Sequence, residues 1–325
     1  MSHKEQEKSA TTDETNSPPT SAGKYKLGDE GYLLDYHGTR VPYPLYESLP
    51  VVEQFKADPK DICIATFAKA GTKFMSAVVW MIMHDGDPAS LLKGDNLDGK
   101  VPHLEFALSG MPAEAMPAYW LNQQTPPRIF FTHLSFEALP ESIRTKAKII
   151  YVARNPKDVI VSTNYFSRSL TFTGCNHTME ETVETFINNT CAHAPFFDNI
   201  AGYRRHLSEM RNLFFTTYED MLQDLESVVK DVARFLGKQL DEAKIASILQ
   251  HCSLDKMKNN KLTNHSNLHN AGLMDFSVSP FMRKGIVGDW KDHFTPELNQ
   301  QVNEWIEREQ RRLRQDLQGF CFRYD

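Results

Sequence analysis

Apolar positions along the chain fall into short dense runs, and amphipathic stretches of helical length lie between them. Asp61-Ile-Cys-Ile-Ala-Thr-Phe67 is almost continuously apolar, as a strand covered on both faces should be. Ala68-Lys-Ala-Gly-Thr72 interrupts the run, and Phe74 to His84 continues at helical length to Asp85-Gly86. The order strand, loop, helix then recurs. Arg128-Ile-Phe-Phe-Thr132, Lys148-Ile-Ile-Tyr-Val-Ala153 and Asn212-Leu-Phe-Phe-Thr-Thr217 read as further strands. Pro156 to Arg168 opens with proline in its first helical turn, where the missing N–H is harmless. Glu219 to Leu236 reads as a helix stopped by Gly237, Ser247 to Lys258 as another, and Pro296 to Arg314 as a charged amphipathic helix. Tyr32 to Pro50 is too irregular for a regular element, and Asn259 to Gly288 is a long loop rich in Asn, Gly and Ser.

Strands alternating with helices predict an α/β protein: three layers, α/β/α, around a central, mostly parallel sheet. No repeat and no Pro/Gly linker divides the middle of the chain, so residues 31–325 are expected to form one domain. Residues 1–24 lack any apolar run and are rich in Ser, Thr, Glu, Lys and Pro. The whole tail, residues 1–30, is therefore expected to be disordered.

Composition narrows the function. The 325 residues are 41% hydrophobic, ample for a core, but the formal net charge is -6. That balance supplies no global basic field for nucleic acid, so any anion site must be a local patch. The start of the chain has no secretory hydrophobic segment. The longest apolar stretch, Phe74 to Met83, is about half of a membrane span. Five cysteines, odd in number and without a CxxC pair, suggest reduced thiols in a cytoplasmic protein without a zinc site. His265 and His269 stand four apart with no acidic or Cys neighbour, which makes them a poor metal pair.

The loop Thr66-Phe-Ala-Lys-Ala-Gly-Thr-Lys-Phe74 carries chemistry. A helix start offers open N–H groups and the positive end of the dipole. Gly71 lets the backbone approach a ligand, and Lys69 and Lys73 add charge, which together make a phosphate or sulfate cradle. It is P-loop-like but not a Walker A match: the first Gly is absent, and Thr72-Lys73 follows Gly71.

Two longer segments sharpen this reading: Tyr151-Val-Ala-Arg-Asn-Pro-Lys-Asp-Val-Ile-Val-Ser162 and Arg283-Lys-Gly-Ile-Val-Gly-Asp-Trp-Lys-Asp-His-Phe294. With the first loop, in this order, they resemble the cytosolic sulfotransferase family across roughly residues 40 to 315. The resemblance implies an enzyme that moves a sulfuryl group from 3′-phosphoadenosine 5′-phosphosulfate (PAPS) to a small acceptor, releasing PAP without a metal. It implies that Lys69 and the backbone of Ala70, Gly71, Thr72 and Lys73 hold the phosphosulfate. Arg154 and Ser162, with Arg283, Lys284 and Gly285, would bind the 3′-phosphate. Phe74, Tyr218, Cys252, Leu254, Phe281 and Met282 would lie about the nucleotide. His133 corresponds to the catalytic base, with Lys69 assisting the leaving phosphate. Arginine's planar fork suits a phosphate, and a histidine near its ordinary pKa of about 6.5 suits proton removal near pH 7.

The chain departs from the family pattern in several places. Phe131 stands where a Lys usually precedes the catalytic His by two, and Lys73 replaces a Thr. Lys73 is expected to return the lost charge. Phe67-Ala68 replaces Tyr-Pro, and Phe74 replaces Trp. Leu254 cannot stack as an aromatic would, so Phe281 is expected to take that role. The dimer motif is altered at Pro296 and Gln300, which puts the usual homodimer in doubt.

The acceptor pocket is expected among Tyr43–Tyr46, Val101–Phe106, Tyr165–Thr173 and Phe276–Phe281, whose aromatic residues suit a phenol or sterol-like alcohol. Two readings compete: a PAP-binding protein without catalysis, motivated by Phe131, and a nucleotide-dependent kinase, which would want a complete Walker A and a Mg²⁺ carboxylate.

Overall fold

A computed structural model describes residues 25–27 and 31–325. The remainder of the expected disordered tail lies outside the described residues. Tyr25–Leu27 falls within that tail and forms a strand, β1.

The central sheet has four described strands: β4 (Ile62–Thr66), β5 (Ile129–Thr132), β6 (Lys148–Ala153) and β7 (Leu213–Thr217). Their order is β5-β4-β6-β7, and every pairing is parallel. Side chains alternate across the sheet. Ile62, Ile64, Ile129, Phe131, Ile150 and Val152 enter one apolar core, and Cys63, Ala65, Phe130, Ile149, Tyr151 and Ala153 enter the other. Two covered faces explain why the strands read as continuous apolar runs.

Helices close both faces. Over the first lie α1 (Thr72–Met83) and α5 (Leu225–Leu236), the latter stopped by Gly237 in the left-handed conformation. Over the second lie α2 (Pro156–Ser169), α3 (Phe196–His206) and α7 (Pro296–Arg312). The expected three-layer α/β/α architecture is present.

Several local expectations are corrected. Tyr32 to Pro50 is regular: β2 (Gly31–Tyr36) pairs with β1 on one side and β3 (Thr39–Pro42) on the other in a small antiparallel sheet, and Val41 reaches the core. Its pattern was masked because prolines and tyrosines crowd a short hairpin. The helix expected from Glu219 to Leu236 is broken: α4 (Tyr218–Gln223) ends at Asp224, whose carboxylate caps α5 instead. The Ser247 to Lys258 helix is likewise two, α6 (Glu242–His251) and a short turn, Leu254–Asn259, parted at Cys252-Ser253. Ser266–Asn270 forms a brief helix within the long loop.

Trp305 of α7 is wholly buried, with ring centroids 4.9 Å from Phe197 and 6.1 Å from Phe196. Trp305→Ala should lower stability by roughly 3–5 kcal/mol, read as a shifted denaturant midpoint.

Candidate active site

The loop between β4 and α1 turns on two positive-φ residues, Lys69 (φ 70°) and Gly71 (φ 109°). A Cβ on Gly71 would stand 2.7 Å from Cδ2 of Tyr218, so only glycine fits the turn and lets α4 close on it. Gly71 is the N-cap of α1 and offers no side chain to it. The first-turn amides of α1 therefore stay open toward the loop, as an anion site requires.

Cations converge on that opening. The Lys69 ammonium lies 3.9 Å from the Phe166 ring centroid and 4.2 Å from that of Phe281. Burial, then the charges of Arg154, Arg283 and Lys73, pull its pKa down to about 7. Among the described residues no carboxylate pairs with it. Arg154 donates to the carbonyls of Lys69 (3.1 Å) and Ile286 (3.4 Å), its guanidinium 4.3 Å from the Tyr218 ring centroid. It thus joins the first loop to the last motif. Ser162, Phe281, Arg283 and Lys69 line one small cavity.

Carboxylates outside the opening hold the surrounding pieces. Asn155 caps α2. Asp158 accepts from the amides of Gly288 (2.9 Å) and Trp290 (3.0 Å). Glu219, buried, accepts from the Asn155 amide at 2.9 Å. Buried Asp289 pairs with Arg283 and, at 2.6 Å, with Lys284. The two late-loop cations are therefore braced by a shared carboxylate. Leu254 fills the space a Gly285 side chain would take, 1.7 Å from that Cβ position.

Two expectations change. Cys252 is fully buried in the core with Ile248 and Met257, and its thiol, its pKa raised by burial, presents nothing to a ligand. Phe281, expected to take the stacking role at Leu254, lines the same cavity as Lys69, Ser162 and Arg283. It covers Lys69, together with Phe166, which had been placed among the acceptor loops. Met282 and Phe74 pack with the apolar core beneath, and Phe74 meets Tyr218 edge-on at 6.2 Å.

His133 follows β5, and its ring nitrogen Nδ1 lies 3.0 Å from the Thr66 carbonyl oxygen. A carbonyl can only accept, so Nδ1 carries the proton and Nε2 keeps its lone pair. The Thr66 hydroxyl, 3.2 Å from Nδ1, is bonded in turn to that of Thr72 at 2.8 Å. The imidazole is thus tied to the first turn of α1. Burial, with His193 and His103 nearby, pushes the His133 pKa well below its ordinary value.

Sequence reasoning missed the support around it. Pro102 and Leu104 bond to Phe131 at the edge of β5, which delivers His103 and Glu105. Buried Glu105 accepts from the His133 amide at 2.6 Å and lies 3.0 Å from His103 Nε2. Burial opposes its ionisation, but His103 and His133 outweigh that and bring its pKa down to about 2. The His103 and His193 ring centroids each lie 5.0 Å from that of His133. His103 belongs to a segment assigned to the acceptor, but nothing in its spacing marks an edge pairing. His265 and His269 turn to separate partners, Asp98 and the Met274 carbonyl. Among the described residues no helix is long and apolar enough to cross a membrane.

Comparison with known proteins fits this geometry. The sequence model described as the sulfotransferase domain matches residues 59–318. Mouse sulfotransferase 1B1 is 38% identical over 269 residues, covering 82% of this chain and 88% of its own. Human sulfotransferase 1C2 is 35% identical over 284 residues, covering 86% and 92%. A retinol dehydratase solved with retinol and PAP superposes with TM-score 0.79 at 22% identity, covering 95% of this chain and all of its own. It supports the fold.

A lysine whose pKa is about 7 is mostly neutral at pH 8, and an anion beside it raises that value again. PAP binding at pH 8 should therefore take up protons, and affinity should fall as pH rises from 7 to 9. Calorimetry in buffers of different ionisation enthalpy measures the uptake, which Lys69→Met should abolish.

Proposed function

The chain belongs to the sulfotransferase family, and on that premise we propose that His133 and Lys69 carry sulfuryl transfer from PAPS to the hydroxyl of a small, flat, apolar acceptor. The observation behind these roles is the arrangement at the first loop: Lys69, unpaired by any carboxylate among the described residues and ringed by braced cations, faces an oriented imidazole across β4 and β5.

In this reading the phosphosulfate lies on the open amides from Gly71 to Phe74, with Lys69 at the bridging oxygen. Arg154, Ser162, Arg283 and Lys284 take the 3′-phosphate, and Tyr218 borders the nucleotide. The acceptor oxygen forms a bond to sulfur as the bond from sulfur to the 5′-phosphate oxygen breaks. The acceptor proton passes to Nε2 of His133, and the leaving phosphate oxygen takes the electron pair beside Lys69. The low pKa of His133 keeps it unprotonated, and Glu105 fixes its backbone.

The aromatic and imidazole rings of Phe131, His103 and His193 around His133 support a phenol or sterol-like alcohol over a sugar polymer. The altered dimer segment is engaged within the chain, since Lys291 pairs with Asp325 and Pro296 sits in the first turn of α7. The kinase reading is disfavoured because the nearby carboxylates Asp158, Glu219 and Asp289 already bind amides or cations. Transfer that continues in EDTA separates the two.

The test is a labelled-PAPS assay against phenols, sterols and amines. His133→Ala should cut turnover by roughly 10² or more while PAP still binds. Near-normal turnover removes His133 from the mechanism, and PAP binding without transfer by the wild-type chain favours a non-catalytic binding protein. Because His133 is held neutral, the acid limb of turnover should lie below pH 6.5, measured as kcat against pH.

A further inference from the structure

Lys73 occupies the first turn of α1, where the helix dipole disfavours a cation and lysine would ordinarily extend into solvent. Here its side chain is only 8% exposed. It turns inward, and its ammonium lies 4.0 Å from the Phe131 ring centroid. There it pairs with Asp98 of the short helix Leu97–Lys100.

Asp98 is itself shared. Its other oxygen lies 3.3 Å from Nδ1 of His265, which enters on a left-handed backbone (φ 60°) from the long loop. His265 is buried, and neither ring nitrogen makes a hydrogen bond. Its ring lies 3.9 Å from that of Phe281, the ring that covers Lys69. The opposite partner of Phe131 is His103, stacked 4.6 Å away with planes 8° apart. His103 leads through Glu105 to the His133 amide. A chain of contacts thus runs from Lys69 through Phe281, His265, Asp98 and Lys73 to Phe131, whose ring centroid lies 5.5 Å from that of His133.

Burying a cation at a helix N-terminus costs stability, and a well-packed apolar side chain would often be neutral or better. An ion pair that served packing alone has no reason to sit between the two reacting ends. Resting on the sulfuryl-transfer reading above, we infer that Lys73 is a second cation for the transferring group, contacting its non-bridging oxygens. Asp98 and His265 are positioning residues that hold Lys73 over Phe131. Asp98 also opposes the effect of burial, which lowers the Lys73 pKa, and so keeps the ammonium charged. As negative charge spreads over the sulfuryl oxygens, Lys73 trades its contact with Asp98 for them. The step adds no bond to the displacement already described.

PAP lacks the sulfuryl group, which makes the inference separable. Lys73→Met should lower kcat by about 10- to 100-fold and leave the Kd for PAP within about threefold. Lys73→Arg, which keeps the charge, should recover most of the loss. Asp98→Asn should lower kcat about tenfold, again sparing PAP. The double variant should be no slower than Lys73→Met alone, since Asp98 acts through Lys73. Lys73→Met turnover within about threefold of wild type, or a loss confined to PAP affinity, overturns the role of Lys73. Additive losses in the double variant overturn that of Asp98. If Lys73→Met does not fold, as judged by loss of its cooperative thermal unfolding transition, Lys73→Arg and Asp98→Asn decide the matter on the same two readouts. A wild-type chain that transfers to no acceptor, or an active His133→Ala, overturns the underlying reading instead.

Discussion

Repulsion among the cations at the mouth of the first loop is the constraint that organises the rest of the site. Lys69 sits against two aromatic rings with Arg154, Arg283 and Lys73 nearby and no carboxylate of its own. Such a cluster is unfavourable in an empty protein and becomes favourable when an anion arrives. The chain neutralises everything except the centre. Asp289 braces Arg283 and Lys284, Asp98 braces Lys73, and Asp158 holds two backbone amides while lying 4.0 Å from Arg154. Each carboxylate steadies a cation or a loop from behind, and the side facing the opening stays positive.

The same geometry decouples positive from basic groups. His133 lies close enough to share Thr66 and Thr72 with the first turn of α1. Placing a second charged group there would add to the repulsion. Burial and two neighbouring imidazoles keep it neutral, and the Thr66 carbonyl sets its tautomer. One backbone segment, the end of β4 and the loop after it, therefore touches the His133 imidazole on one side and leads into the open first-turn amides of α1 on the other. The relative placement of that imidazole and those amides follows from strand register rather than from mobile side chains.

The fold was largely legible because a doubly covered parallel sheet writes itself as continuous apolar runs. All four central strands were anticipated within a residue or so at each end. Breaks inside helices were not, since Asp224 and Ser253 are tolerable in helices and end them only through capping and packing. The residues of the three motifs were legible because the backbone conformation and charge they need are local. Glu105, His103, Asp98 and His265 were not. Their roles come from an edge pairing beside β5 and from contacts across more than a hundred residues, which no periodicity records. Cys252 shows the converse limit: its position in the chain matches the family, but its side chain packs into the core.

The exchange at Phe131 and Lys73 illustrates how a site can conserve electrostatics while changing residues. A cation carried on β5 would reach the reacting centre from the acceptor side. Carried on α1, it reaches nearly the same place from the donor side, with the Phe131 ring as its floor. The helix dipole makes the new position worse for a lone charge, which accounts for Asp98. Asp98 is half-open to solvent on its own helix and needs a wall, and His265 with Phe281 supplies it from the late loop. Carrying the charge on the helix instead of the strand thus recruits a carboxylate and a loop. The resulting chain of contacts runs from the edge of the sheet to the lid over Lys69.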